Sequence, residues 1–373
     1  MTSFPPIHPI AARTGGGRFK SFSGAPVRVG FVPLNDCAPL VAAQARGDFD
    51  RQGVQVRLSR ELGWATIRDK LAQGELDAAH APCGFPLILA AGHTCVPTAT
   101  VVGLVLNLEG NAITLSRSLA EAGVRDATTL RSHILAVRSR KTLTFGTVSS
   151  HSSHTYLLRT WLNSAGPGLD QEVRIVVVPP PQMLANLVAG HLDGFCSGEP
   201  WNSLAVADGY GWIAATSGSI APRHPEKVLV ARSDFAARRP QEHLALLAAL
   251  LDSCAWCSRA GNHAELALLL ADRRHVGLSP DIIQRGLSGP LERGLGFPAV
   301  PGGLSLFFGP GVNEPTAQTA AWIAGHLVGS EVRDRFSQAR LGQIFRSDCH
   351  RQALALSAQP HPPIERESLP LPA

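Results

Sequence analysis

The sequence predicts an α/β protein of two lobes, each built on its own sheet, and an internal echo predicts it. Between Ile175 and Asn202 an apolar run, Ile175 to Val178, stops at three prolines. A helical stretch follows from Gln182 to Ala189, and a second buried-strand signal, Leu192 to Cys196, ends on Gly198. The same grammar stands earlier in the chain. Val27 to Phe31 reads as a strand, the segment after Asn35 as a helix start, Val54 to Leu58 as a strand, Ala65 to Gln73 as a helix, and Leu76 to His80 as a strand again. In both copies the helix ends at a glycine, Gly74 or Gly190, where a C-cap prefers one, and Leu-Asp then leads into a short strand.

Length and composition agree with two lobes and exclude several functions. A chain of 373 residues is longer than one core usually supports. No apolar run approaches the roughly 20 residues of a membrane helix. The net charge of +5 comes from dispersed basic residues with no interleaved aromatic platform, so direct nucleic-acid binding is not expected. Seven cysteines, at 37, 83, 95, 196, 254, 257 and 349, form an odd, scattered set that suits a reducing compartment better than a disulfide framework. Cys254 and Cys257 form a CxxC, but it closes an apolar helix and has no second pair at zinc spacing, so both are expected in the core. No GxSxG elbow, P-loop or HExxH is present, and the expectation is a protein that is not an enzyme. Residues 1–25 lack the apolar core of a secretory signal and read as a Pro- and Gly-rich leader, so the chain is expected to remain in the cytoplasm. Residues 356–373 read as a Pro-rich tail.

Five motifs then carry a resemblance. They are GFVPLNDCAPLVAA from Gly30, WATIRDKL from Trp64, VPPPQMLAN from Val178, GEPWN from Gly198 and HPEKV from His224. In order and spacing this set resembles the nitrate-binding and bicarbonate-binding proteins related to cyanobacterial transport receptors, over roughly residues 27–355. The resemblance implies the type II periplasmic-binding-protein fold, two α/β lobes joined by a hinge with a small anion held between them. It places lobe 1 at 26–120 and 232–355, lobe 2 at 121–231, and the helices of the C-terminal third, from Gln241 to about Asp348, back over lobe 1.

The same resemblance assigns the site. Nitrate is planar, singly charged and weakly basic, so several moderate donors and one full cation suit it better than a nest of arginines. Trp64 would supply an indole N–H and an apolar wall, and the backbone amides of Ala65 and Thr66 would face the anion from a helix N-terminus. His154 stands seven residues before Trp161, as a ligand-donating histidine does in the family, with His151 competing one turn away. Asn111 falls where transport receptors often carry Gln. Lys227 would be the cation that favours nitrate or nitrite, where the bicarbonate receptors have an acidic residue that works with calcium. Pro181, Gln182, Glu199, Pro200 and Trp201 are expected to support the cleft, Glu199 orienting donors because a bare carboxylate repels an anion. No metal and no cofactor are assigned.

A nitrate cleft without an export signal resembles the cytosolic nitrate/nitrite sensor branch, of the NasS type. That branch sequesters an ANTAR-domain RNA-binding antiterminator, NasT-like, and releases it on ligand binding to switch on nitrate assimilation. The alternatives are the substrate-binding subunit of a nitrate ABC transporter, and an enzyme on the same fold like the thiamine-pyrimidine relatives.

Overall fold

The computed structural model describes residues 24–300, 304–327 and 329–357. The leader through residue 23 and the tail from residue 358 lie outside the described residues. Eleven strands are present among those described: β1 Val27–Phe31, β2 Val56–Arg60, β3 Ala78–Pro82, β4 Thr100–Glu109, β5 Asn111–Ser116, β6 Thr144–Thr147, β7 Arg174–Val177, β8 Gly194–Gly198, β9 Gly211–Thr216, β10 Pro225–Arg232 and β11 Ser305–Leu306. They form two sheets, ordered β11-β4-β10-β3-β1-β2 and β7-β6-β8-β5-β9.

The echo in the sequence is an echo in topology. β2-β1-β3 in the first sheet and β7-β6-β8 in the second are parallel triplets, with the first strand of each in the middle. Parallel neighbours need a crossover, and a helix supplies it each time. Trp64–Gln73 precedes β3 and Met183–Val188 precedes β8. Both end at the expected glycines, Gly74 at φ 77° and Gly190 at φ 73°, a left-handed conformation that costs least without a Cβ. The remaining large strands are antiparallel to these triplets: β10 lies between β3 and β4, and β5 between β8 and β9.

Two crossings join the lobes. The chain leaves the first sheet between β4 and β5, at Gly110, and returns between β9 and β10, before Pro225. The strand pairing therefore puts the crossings ahead of the expected 120/121 and 231/232 boundaries. β5 and β10 thus fall across the expected boundaries, because apolar runs do not say which sheet they join.

Apolar burial then fixes each lobe. Helix Pro240–Cys257 has proline at its first position and buries nearly its whole length, with Leu247 and Leu250 against Val29, Leu104 and Leu229 of the first sheet. Cys254 and Cys257 are fully buried on it, as core residues, and none of the seven cysteines is paired. Lobe 2 packs Trp161, Leu157, Leu130 and Trp212 around Phe145. Helix Ala317–His326 reaches across the junction. Its Trp322 meets Tyr156 of lobe 2 edge-on at 5.4 Å and His224 at 6.3 Å.

The lobes are in close contact at Gly84, where a Cβ would stand 2.6 Å from the carbonyl oxygen of His151 across the cleft. The φ of Gly84, −77°, suits alanine, so only this contact resists a side chain. Gly84→Ala is expected to prop the lobes apart. By small-angle scattering the radius of gyration should rise, and the melting temperature should fall by a few degrees, the clash costing about 1–3 kcal/mol, as overpacking typically does.

Candidate functional site

A cluster of charged and polar side chains, fully buried or nearly so, lies between the lobes where both crossings arrive. The tight turn Asn35–Cys37 after β1 brings Asp36, β3 brings His80, and β10 brings Glu226 and Lys227. From lobe 2 come Asn111, the first residue of β5, and Ser153 and His154, the first residues of helix Ser153–Asn163. Lys227 is the centre. Its ammonium lies 2.7 Å from Asp36 Oδ2 and also bonds Glu226 Oε1. His80 Nε2 stands 2.8 Å from the other oxygen of Asp36.

Glu226 is the second focus. Its Oε2 accepts from Asn111 Nδ2 at 2.6 Å and from the hydroxyl of Ser153. His224 Nε2 lies 3.4 Å from the same oxygen, and His154 Nε2 lies 3.8 Å from Oε1. Asn111, Ser153, His154, His224, Glu226 and Lys227 are all 0% exposed, so these contacts form in a medium that amplifies charge. The Glu226 carboxylate, a planar anion, is thus gripped by donors from both lobes.

Proton affinities follow from these contacts. Burial pushes Glu226 up, but the Lys227 ammonium outweighs it and holds the carboxyl well below its usual range. Burial likewise opposes the Asp36 anion, and Lys227 and His80 overcome it, leaving Asp36 below its ordinary value. Burial works against the Lys227 ammonium, yet Asp36 and Glu226 hold it above its normal value. His154 is pulled down to about 4, chiefly by burial and despite Glu226, so its ring is neutral at pH 7.

Trp64 closes one side of the chamber. It opens helix Trp64–Gln73, packs against His80 at 5.5 Å and Phe85 at 6.2 Å, and sets its ring 5.6 Å from the Lys227 ammonium, within cation–π range. Its indole Nε1 and the Nδ1 of His154 are buried without a hydrogen-bond partner.

Of the residues expected from sequence, the structure brings together Trp64, Asn111, His154 and Lys227. Ala65 and Thr66 follow Trp64 as the second and third residues of its helix, where amides lack an intrahelical acceptor, but Ala65 is exposed and Thr66 half-buried. His151 is not in the cluster; it is half-buried and meets His93 edge-on at 5.0 Å. Pro181 and Gln182 form a turn with Pro180, Pro181 half-buried and Gln182 exposed. The neighbouring Pro179 approaches the cleft edge instead, 3.9 Å from where a Cβ on Gly63 would sit.

Glu199, Pro200 and Trp201 latch the lobes. The Glu199 carbonyl accepts from the Asn35 amide at 2.7 Å, and Trp201 Nε1 donates to the Pro33 carbonyl at 3.0 Å. The Glu199–Pro200 peptide is cis. The Glu199 carboxyl is buried beside Ser203, whose amide it accepts at 3.2 Å, and faces no cation of the cluster.

Sequence reasoning missed Glu226, Asp36, His80, His224 and Ser153. For Glu226 the reason is geometric. Neighbours on a regular strand point to opposite faces, so a strand that aims Lys227 inward should aim Glu226 outward. In β10 the register against β4 shifts on both sides of Lys227, and this irregularity lets both side chains enter one chamber. A buried carboxylate directly before a buried lysine was the available signal.

Comparisons with known proteins bear on this chamber. A profile described as the NMT1-like family matches residues 23–271. The chain is 41% identical over 268 residues to the nitrate import ATP-binding protein NrtC of Synechocystis, covering 71% of this chain and 40% of that one. It is 40% identical over 299 residues to the bicarbonate transport ATP-binding protein CmpC of the same organism, covering 80% of this chain and 44% of that one. The chain thus spans less than half the length of these relatives. Among solved structures it is similar to the periplasmic nitrate-binding protein NrtA from Synechocystis, with a TM-score of 0.83, 26% identity, and coverage of 90% and 89% of the two chains.

Burial of Glu199 sets a pH dependence. Burial, the largest cause, pushes its carboxyl up to about 7, against an ordinary 4.5. Between those values the folded protein holds a proton that the unfolded chain has released, so stability falls as pH rises through the window and the cost is complete above pH 7. Glu199→Gln removes the ionisation. Urea melts at pH 5 and pH 8 should show the variant more stable than wild type by about 1–3 kcal/mol at pH 8, with the gap narrowing at pH 5.

Proposed function

The chain belongs to the NMT1-like family, and on that premise we propose that its interlobe chamber binds nitrate or nitrite and that the protein is a cytosolic sensor of that anion. One observation carries the ligand. Donors from both lobes converge on a planar carboxylate, that of Glu226, which stands in for the trigonal or bent oxyanion the seat would take. Such an anion needs an ammonium and several neutral donors, and Lys227, Asn111, Ser153 and His154 are that set. Trp64 adds an unused indole N–H and a flat apolar wall. The similarity to a periplasmic nitrate-binding protein over nine tenths of both chains supports the same ligand.

The location and role rest on a different support. The relatives at 40% identity or more are named as ATP-binding proteins of nitrate import and bicarbonate transport, and this chain matches 40–44% of their length. An anion-binding unit kept in the cytosol would have no outer substrate to collect, and its use would be to report. The reader is an ANTAR-domain antiterminator, NasT-like, held in one lobe arrangement and released in the other, which requires only that ligand and partner prefer different arrangements. The second reading, a substrate-binding subunit of a nitrate ABC transporter, is favoured by the likeness to the periplasmic protein.

Calorimetry separates the ligands. Nitrate and nitrite should give binding heat with or without a chelator, and calcium-dependent bicarbonate binding without nitrate heat would overturn the assignment. Lys227 is a poor target for this test, since removing it leaves two buried carboxylates uncompensated, a loss of about 3–5 kcal/mol of stability. Trp64→Phe deletes a neutral donor, an indole N–H that bonds nothing in the structure. Affinity should drop about tenfold, near the 1.4 kcal/mol that a lost hydrogen bond approaches.

For the sensor role, the chain and a co-expressed ANTAR-domain partner should co-elute on size exclusion without nitrate and separate when it is added. Co-elution under both conditions, or under neither, would move the transport reading ahead.

A further inference from the structure

The Glu226 carboxylate does more than mark the anion seat: it uses the seat's donors. Asn111 Nδ2 and the Ser153 hydroxyl bond Oε2, the Lys227 ammonium bonds Oε1, and the two imidazoles of His154 and His224 face the pair of oxygens. A second anion cannot take these hydrogen bonds while the carboxylate keeps them. Addition is also opposed by charge. Lys227 is already shared by Asp36 and Glu226, so a bound nitrate would be a third anion around one ammonium in a chamber closed to solvent.

The carboxylate reaches the seat by a local backbone device. The irregularity of β10 at Lys227 turns Glu226 inward, where a regular strand would turn it away. Glu226 belongs to the strand that re-enters lobe 1, whereas Asn111 and Ser153 belong to lobe 2. Its hydrogen bonds are therefore bonds between the lobes, of the kind a bound ligand would make.

We infer that Glu226 is an intramolecular surrogate ligand, a carboxylate that occupies the anion seat, ties the lobes together from it, and must be displaced when an inorganic oxyanion enters. The inference rests on the reading of this chamber as an anion site. It makes ligand binding an exchange of one anion for another, with affinity set by the difference between the two.

Removing the side chain should free the seat for small anions from solution, and formate supplies the missing carboxylate group itself. Glu226→Ala is expected to bind nitrate at least tenfold more tightly than wild type by calorimetry. In nitrate-free buffer, formate should raise the melting temperature of Glu226→Ala and leave that of wild type unchanged. Stabilisation of Glu226→Ala by formate with no nitrate binding to either protein would uphold the surrogate and sink the nitrate ligand. A wild type that binds nitrate as tightly as Glu226→Ala, or a Glu226→Ala indifferent to formate, would overturn the surrogate. Should Glu226→Ala fail to fold, Glu226→Gln keeps the volume and removes the charge, leaving Lys227 paired with Asp36. It too should gain at least tenfold for nitrate, and equal or weaker binding would overturn the inference.

Discussion

The arrangement of the two lobes depends on one buried ammonium. Lys227 has no access to water, and a lysine so placed persists only where carboxylates replace its hydration. Asp36 comes from the turn after β1 and Glu226 from the strand of Lys227 itself, while the donors that satisfy Glu226 come from lobe 2. Each group is costly alone and tolerable only with the others in place. The apolar clusters stabilise each lobe without specifying how the lobes meet. The ion cluster is satisfied in one arrangement of them.

Hinge and site are built from the same residues. The first crossing passes through Gly110 at φ 102°, where a Cβ would stand 2.5 Å from Ser305 Oγ, and the next residue is Asn111. The second crossing passes from His224 into Pro225, Glu226 and Lys227. A change of partner at Glu226 is therefore made at the strand that connects the lobes, with no intervening layer to absorb it. Coupling between occupancy and lobe orientation needs no relay here, only two arrangements with different affinities.

Much of the fold was legible because it rests on local signals. The Gly74 and Gly190 caps, the proline stop at Pro179, and the apolar runs of β1, β2, β3, β7 and β8 are read from a few adjacent residues, and the repeated unit gave the two-lobe topology. The lobe boundaries were not local. Whether the apolar run at β5 joins the first sheet or the second is decided by antiparallel pairing with β8 and β9, across about 80 to 100 residues of sequence, a distance at which periodicity is silent. The site divided in the same way. Trp64, Asn111, His154 and Lys227 were named from the family resemblance, and that the four come together between the lobes is a tertiary fact. Asp36 and Glu226 stood inside the quoted motifs and were passed over: residue type does not place a carboxylate beside an anion, and regular strand alternation would turn Glu226 away from Lys227. Two carboxylates share the chamber because Lys227 lies between them.

That sharing constrains what any ligand can do. If the Glu226 carboxylate leaves as an inorganic anion arrives, the chamber holds the same charge before and after, and burial of the new anion is offset by release of the old one. Net affinity can then be modest even though each set of hydrogen bonds is strong, because only their difference appears in the equilibrium. The displaced carboxylate must go somewhere, and the irregular segment of β10 that carries it lies between β3 and β4. What distinguishes the two occupied states is consequently less the content of the chamber than the course of that strand, and a partner able to tell the states apart would read the path of β10 or the lobe angle it sets.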